Sequence, residues 1–179
     1  ASYQLSVISY QLSVISYQLS VPPPAPRIIR IHAGHFMHQS ESPHSILLIR
    51  LSAIGDIAMA SGVAEVLRRV HPEARIDWLA QEEAAGLLQR CTYLDRVLSW
   101  PRHQWRNSLR KGRLIHLAGE ARDFVRSLRQ AEYDMVLDMQ GLLKSGILAA
   151  LSGGGRRIGL GSREGSARLM HEGLPASAD

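Results

Sequence analysis

The sequence predicts an α/β fold, a doubly wound and mostly parallel sheet preceded by an irregular tail, and three observations predict it. From Ser45 onward, short β-branched or Leu-rich runs alternate with longer stretches of helical period. The stretches between the runs are long enough for the crossovers, of about a dozen residues or more, that parallel strands require. At 179 residues, with 45% apolar and 21% charged side chains, the chain can bury one domain core.

Residues 46–50 read as a buried first strand. In residues 57–70 the apolar side chains Ala60, Val63, Leu67 and Val70 fall on one stripe, which predicts an amphipathic helix that His71-Pro72 stops. Residues 75–80 form the second strand, and Glu82 and Glu83 open a short helix whose dipole favours acids at its start. Residues 96–100 are the third strand. Residues 101–113 read as a basic, irregular segment, after which Leu117, Ala121, Phe124 and Leu128 mark another helical stripe. Residues 135–139 are the fourth strand, residues 142–151 a helix ended by Gly153 to Gly155, and residues 156–160 the fifth strand. The domain is therefore bounded at 45–179.

Residues 1–44 differ in character. SYQLSVI recurs as a literal seven-residue repeat with no charge in it, and a Pro-rich stretch at 22–26 follows. The repeat looks like duplicated nucleotides, too short for a solenoid. The expectation is a disordered appendage, with Met37 a candidate original start. His32, His35 and His38 recur at three-residue spacing there, but without an acidic or cysteine companion they make a poor metal site.

A net charge of +5 and a pI near 9.9 favour acidic partners such as phosphates, nucleic acid or an anionic membrane face. Cys91 is the only cysteine in the sequence, which excludes a disulfide within it and makes a reducing cytoplasm the default. No apolar run approaches the roughly 20 residues that span a bilayer, and no secretory signal opens the chain.

Ligands of open parallel sheets sit beyond the carboxyl ends of the strands. After the first strand, Arg50, Leu51, Ser52, Ala53, Ile54, Gly55 and Asp56 deliver a carboxylate to the start of a helix, with Gly55 permitting a tight bend. An ionised Asp56 there can accept a hydroxyl proton; alternatively it is merely an N-cap, a role for which Asp is well suited. The turn is neither a P-loop nor a dinucleotide fingerprint. After the third strand, Arg102, Trp105 and Arg106 interleave cations with an aromatic, suited to phosphates or sugar rings, or simply a solvated basic loop. After the fourth, Gln140 and Gly141 precede Lys144 in a first helical turn, where a cation is disfavoured unless an anion visits. After the fifth, Arg163 is a further anion contact or half of an exposed ion pair with Glu164.

Taken together, Ile46 to Arg50, Ser52 to Asp56, Asp134 to Gly141 and Lys144-Ser145 resemble the N-terminal domain of family-nine glycosyltransferases, above all the ADP-heptose:lipopolysaccharide heptosyltransferases. The resemblance runs from about Ser45 to Leu174. It implies the N-terminal half of a GT-B fold, in which two Rossmann-like domains face one another and the first holds the acceptor. Asp56 would be the general base in an inverting transfer from ADP-heptose, with no cofactor and no metal. Arg50, a lysine in some relatives, together with Ser52, Gly55, Arg102, Trp105, Arg106, Gln140, Lys144 and Arg163, would face a phosphorylated, carboxylate-rich acceptor resembling Kdo-lipid A.

The implied partners are an anionic lipopolysaccharide precursor, the cytoplasmic face of the inner membrane and a separate donor domain, but no nucleic acid. The family's second domain would begin near residue 179, so the chain is expected to be an acceptor-binding half, inactive alone. A non-catalytic α/β module that binds an anionic glycolipid or nucleotide is the competing reading. A Rossmann-type nucleotide binder is a third, disfavoured by the missing glycine fingerprint.

Overall fold

A computed structural model describes residues 42–174, so the repeat, the proline stretch, Met37 and the three tail histidines lie outside the described residues. Strands Ser45–Ile49 (β1), Arg75–Gln81 (β2), Arg96–Trp100 (β3), Met135–Asp138 (β4), Arg156–Leu160 (β5) and Glu172–Leu174 (β6) form one sheet in the order β3-β2-β1-β4-β5-β6. Each neighbouring pair is parallel. The helices are Ile54–Ala60 (α1), Gly62–Val70 (α2), Glu82–Leu88 (α3), Arg102–Arg110 (α4), Leu114–Arg129 (α5) and Leu143–Leu151 (α6), and a 3-10 turn covers Ser166–Leu169.

This is the doubly wound sheet that the alternation of runs predicts. The chain builds outward from β1 to β3 on one side and then returns to lay β4 against β1 on the other. That reversal leaves a crevice at the carboxyl ends of β1 and β4, where the flanking connections depart in opposite directions.

All five residues of β1 are buried, because the strand is paired on both edges and covered on both faces. Successive side chains point to opposite faces. Ile46 and Leu48 join Ile57, Ala64, Ile76 and Trp78 in one apolar cluster, whereas Leu47 and Ile49 join Leu51, Leu79, Val136 and Leu148 in the other. Trp78 reaches from the first cluster to donate its indole N–H to the Arg50 carbonyl at 3.2 Å, so a core side chain pins the residue where β1 ends.

Three sequence expectations need correction. The single helix at 57–70 is two, α1 and α2, separated at Ser61. There the Ala64 N–H reaches back only to the Ser61 carbonyl at 3.1 Å and the Ser61 hydroxyl donates to the Ala58 carbonyl at 2.6 Å, which tightens and bends the path. Ala60, Val63 and Leu67 still pack on the core, but Val70, at the end of α2, is 63% exposed. The segment expected to be irregular is largely helix α4. Pro101 occupies the position before its first turn, where the missing N–H is no loss, and the left-handed Gly112 (φ 66°) follows its end. Finally, β6 extends the sheet beyond the five strands expected.

Candidate functional site

The turns that leave β1 and β4 are fastened to one another at the crevice. The Gln140 side chain carries its Oε1 across to accept the Leu51 N–H at 2.9 Å and the Ser52 N–H at 3.2 Å. Arg50 donates one guanidinium N–H to the Met139 carbonyl and another to Asp56 Oδ2, at 2.6 Å. One cation thus ties the carboxylate on α1 to the end of β4.

Asp56 is the third residue of α1, not its N-cap, which is Ala53. Its Oδ2 also accepts the Ala53 N–H at 3.4 Å, a long contact that contributes little capping. The Asp56 side chain is 53% exposed, so the carboxylate faces outward at the lip of the crevice. Both hydrogen bonds engage Oδ2, which leaves Oδ1 available to a ligand.

Behind this surface lies a buried carboxylate that sequence reasoning did not single out. Asp138, the last residue of β4, is fully buried; its Oδ1 accepts the Gln140 N–H at 2.9 Å and the Gly141 N–H at 3.2 Å, while Oδ2 accepts the Ser145 hydroxyl at 3.0 Å. Burial raises its pKa above the usual carboxylate range, against the lowering effect of these donors. Asp138 therefore shapes the turn that presents Gln140. The sequence offers only an acid within an otherwise apolar run, which by itself assigns no role.

Gly141 has φ 68°, and a Cβ there would lie 2.6 Å from the Gly161 carbonyl oxygen and 2.8 Å from that of Leu160. Only glycine fits. Its own carbonyl accepts the Arg163 N–H at 2.6 Å and the Ser166 hydroxyl at 3.0 Å, so the turn after β5 is held against the turn after β4.

The structure thus brings together Arg50, Ser52, Gly55, Asp56 and Gln140 in the β1 and β4 turns, with Arg163 joined through its backbone. Lys144 is half-buried in the first turn of α6 and Arg163 is exposed; among the described residues neither stands in an ion pair. Arg102 and Arg106 project from α4, beyond the edge strand β3, and do not join that network. Trp105 packs edge-on between Trp100 and Phe124, with ring centroids 6.2 and 5.5 Å away and its indole nitrogen buried without a partner. Its ring is engaged in packing between β3 and α5. Among the described residues no group of three or more His, Cys, Asp or Glu side chains converges to hold a metal ion, and no helix is long and apolar enough to cross a membrane.

Comparison with known proteins bears on this geometry. Residues 121–172 match the family model of glycosyltransferase family 9 (heptosyltransferase). Lipopolysaccharide heptosyltransferase 1 of Pseudomonas aeruginosa is 31% identical over 108 residues, covering 60% of this chain and 30% of that protein. The enzyme of the same name from Campylobacter coli is 27% identical over 106 residues, covering 59% and 28%. The chain therefore spans less than a third of the length of these relatives. Among solved structures, Escherichia coli heptosyltransferase WaaC with ADP-2-deoxy-2-fluoro heptose superposes with a TM-score of 0.66 at 22% identity, covering 75% of this chain and 43% of that one, a likeness of fold. Over the parts that these matches cover, the chain is similar to the heptosyltransferases of glycosyltransferase family 9.

Proposed function

We propose that this chain supplies the acceptor-holding half of an inverting heptosyltransferase, with Asp56 as the general base. The observation that carries the reading is the outward-facing Asp56 carboxylate, anchored through Oδ2 by Arg50 at the crevice between β1 and β4. In the reaction, the acceptor hydroxyl oxygen forms a bond to the anomeric carbon of ADP-heptose as the bond to the nucleotide oxygen breaks. Asp56 Oδ1 takes the hydroxyl proton and ADP departs, with inversion at the anomeric carbon. Arg50 holds the base in one orientation, which counts because a reacting pair must meet within hydrogen-bond reach.

The acceptor is an anionic lipopolysaccharide precursor of the Kdo-lipid A type. Lys144 and Arg163, beside the crevice, and Arg102 and Arg106, at the sheet edge, are the cations assigned to its phosphates and carboxylates. Ser52 and Gly55 shape the lip, and Trp105 contributes by fixing α4 rather than by stacking on sugar. The donor and its ADP belong to a second domain, no metal or cofactor takes part, and the protein works on the cytoplasmic face of the inner membrane.

Titration of the chain with Kdo-lipid A and, separately, with ADP-heptose tests the reading. The expected result is saturable binding of the acceptor and none of the donor. Tight binding of ADP-heptose with no acceptor binding would overturn it. Acceptor binding with no transfer after a donor domain is supplied would instead favour a non-catalytic glycolipid module.

A further inference from the structure

We propose that the turn joining α4 to α5, with the exposed side of α4, is a docking surface for an anionic bilayer. Residues 101–116 contain no acid and five cations, Arg102, Arg106, Arg110, Lys111 and Arg113, all of them exposed. Arg102, Arg106 and Arg110 recur every four residues and so share one side of α4. None of the five stands in an ion pair among the described residues. The nearest acid along the chain, Glu120, is already engaged by Gln104, Ser108 and His116.

Helix electrostatics do not account for this arrangement. Arg110 suits the last turn of α4, but Arg102 stands at its first residue and Arg113 at the N-cap of α5, and neither helix has an acid in its first turn. Cations at helix starts are disfavoured unless an outside anion compensates. Between the cations protrude three aliphatic side chains, Leu109, Leu114 and Ile115, which are 57%, 61% and 92% exposed. Seven consecutive residues, 109–115, thus hold three cations and three aliphatics around Gly112.

That combination fits acidic lipid headgroups over an acyl boundary, where aliphatics insert and Arg or Lys stems lie along the interface. Stable anchoring needs two such signals together. Nucleic acid fits less well, since Trp100 and Trp105 pack against one another and offer no stacking platform. Three aliphatic side chains fall short of the roughly 800 Å² per partner that a stable dimer buries. The surface begins where α4 leaves β3, at the same end of the sheet as the Asp56 turn, so a bilayer gripped here adjoins the crevice assigned to a lipid-linked acceptor. The inference deepens the proposed function by naming the contact surface, but it stands on the exposed turn alone.

The test is vesicle flotation of the full chain with phosphatidylcholine alone and with phosphatidylcholine mixed with phosphatidylglycerol. The wild type should float with the mixed vesicles, weakly with the neutral ones, and less in high salt. Arg110→Glu with Arg113→Glu should weaken mixed-vesicle binding by at least about tenfold, since each cation near an acidic surface strengthens it about fivefold. Leu114→Ser with Ile115→Ser should weaken it by about tenfold without changing the net charge. A control of equal charge change elsewhere, Arg90→Glu with Arg168→Glu, should stay within about twofold of wild type. Circular dichroism of each variant should be unaltered.

Wild-type binding by both turn variants, or equal loss in the control, overturns the proposal. So does a wild-type dimer that the serine pair splits, which would make the turn a self-association face. Flotation requires neither sugar nor donor, so its failure leaves the assignment of Asp56 standing, and the reverse also holds.

Discussion

Asp56 and Arg50 form a pair in which geometry outweighs energy. Their contact is half in water, where an ion pair contributes at most about 1 kcal/mol. Replacing Asp56 with Ala should therefore leave the melting temperature nearly unchanged, while transfer in the presence of a donor domain falls by about 100-fold or more. Substantial transfer by that variant would remove the assigned role. Arg50→Ala releases the carboxylate and the Met139 carbonyl together, and the expected loss in kcat is about tenfold with partial recovery in Arg50→Lys. Gly141→Ala behaves in the opposite way. It forces a Cβ into two carbonyl oxygens at positive φ and should cost at least about 2 kcal/mol, measured by urea denaturation. Asp56 and Gly141 were both legible, one as a carboxylate opening a helix and the other as a turn glycine. Asp138 was not, because a buried acid in an apolar strand takes its meaning from donors that only the folded turn supplies.

At the scale of elements, the strands were easier to read than the path between them. Runs such as Ile46 to Ile49 announce a strand covered on both faces, whereas the break at Ser61 depends on a local hydrogen bond that periodicity does not encode. Dense charge hid α4, whose inward contacts come mainly from Trp105 and Ser108. β6 is three residues long and owes its place to partners. Arg156 donates to both oxygens of Glu172, at 2.6 and 2.9 Å, and Gly161 N–H donates to the Leu174 carbonyl at 2.8 Å. The hydrogen bond from Arg156 holds Glu172 below its ordinary pKa. A folded-state pKa that is depressed gives stability present above the unfolded value and lost as pH falls through the folded one. The thermal midpoint should thus decline on acidification below the usual glutamate range, and Glu172→Gln should flatten that decline. An unchanged slope would show that the pair does not pin β6. Asp138→Ala, which strips acceptors from two backbone N–H groups and the Ser145 hydroxyl, should cost about 2–5 kcal/mol.

For the whole molecule, stability centres on β1, sealed between β2 and β4 and covered on both faces. Leu48→Ala, at a side chain with no exposure, should cost about 2–5 kcal/mol and lower the denaturation midpoint without changing its cooperativity. The parallel order follows from alternation and crossover length, so it was readable before any coordinates. The pairing of the β1 and β4 turns was not, because Gln140 and Leu51 are 89 residues apart in the chain. Charge also acts at this scale: with a net +5, acceptor affinity should fall steadily with added salt, and Lys144→Ala with Arg163→Ala should reduce that dependence in a salt titration.

The doubly engaged Oε1 of Gln140 sets how this crevice can take part in motion. A loop held at two consecutive amides by a side chain from its neighbour resists swinging independently. If a second body shuts over this crevice, Asp56 serves as a stationary anvil, and whatever travel brings the two reactants together is made by the incoming partner.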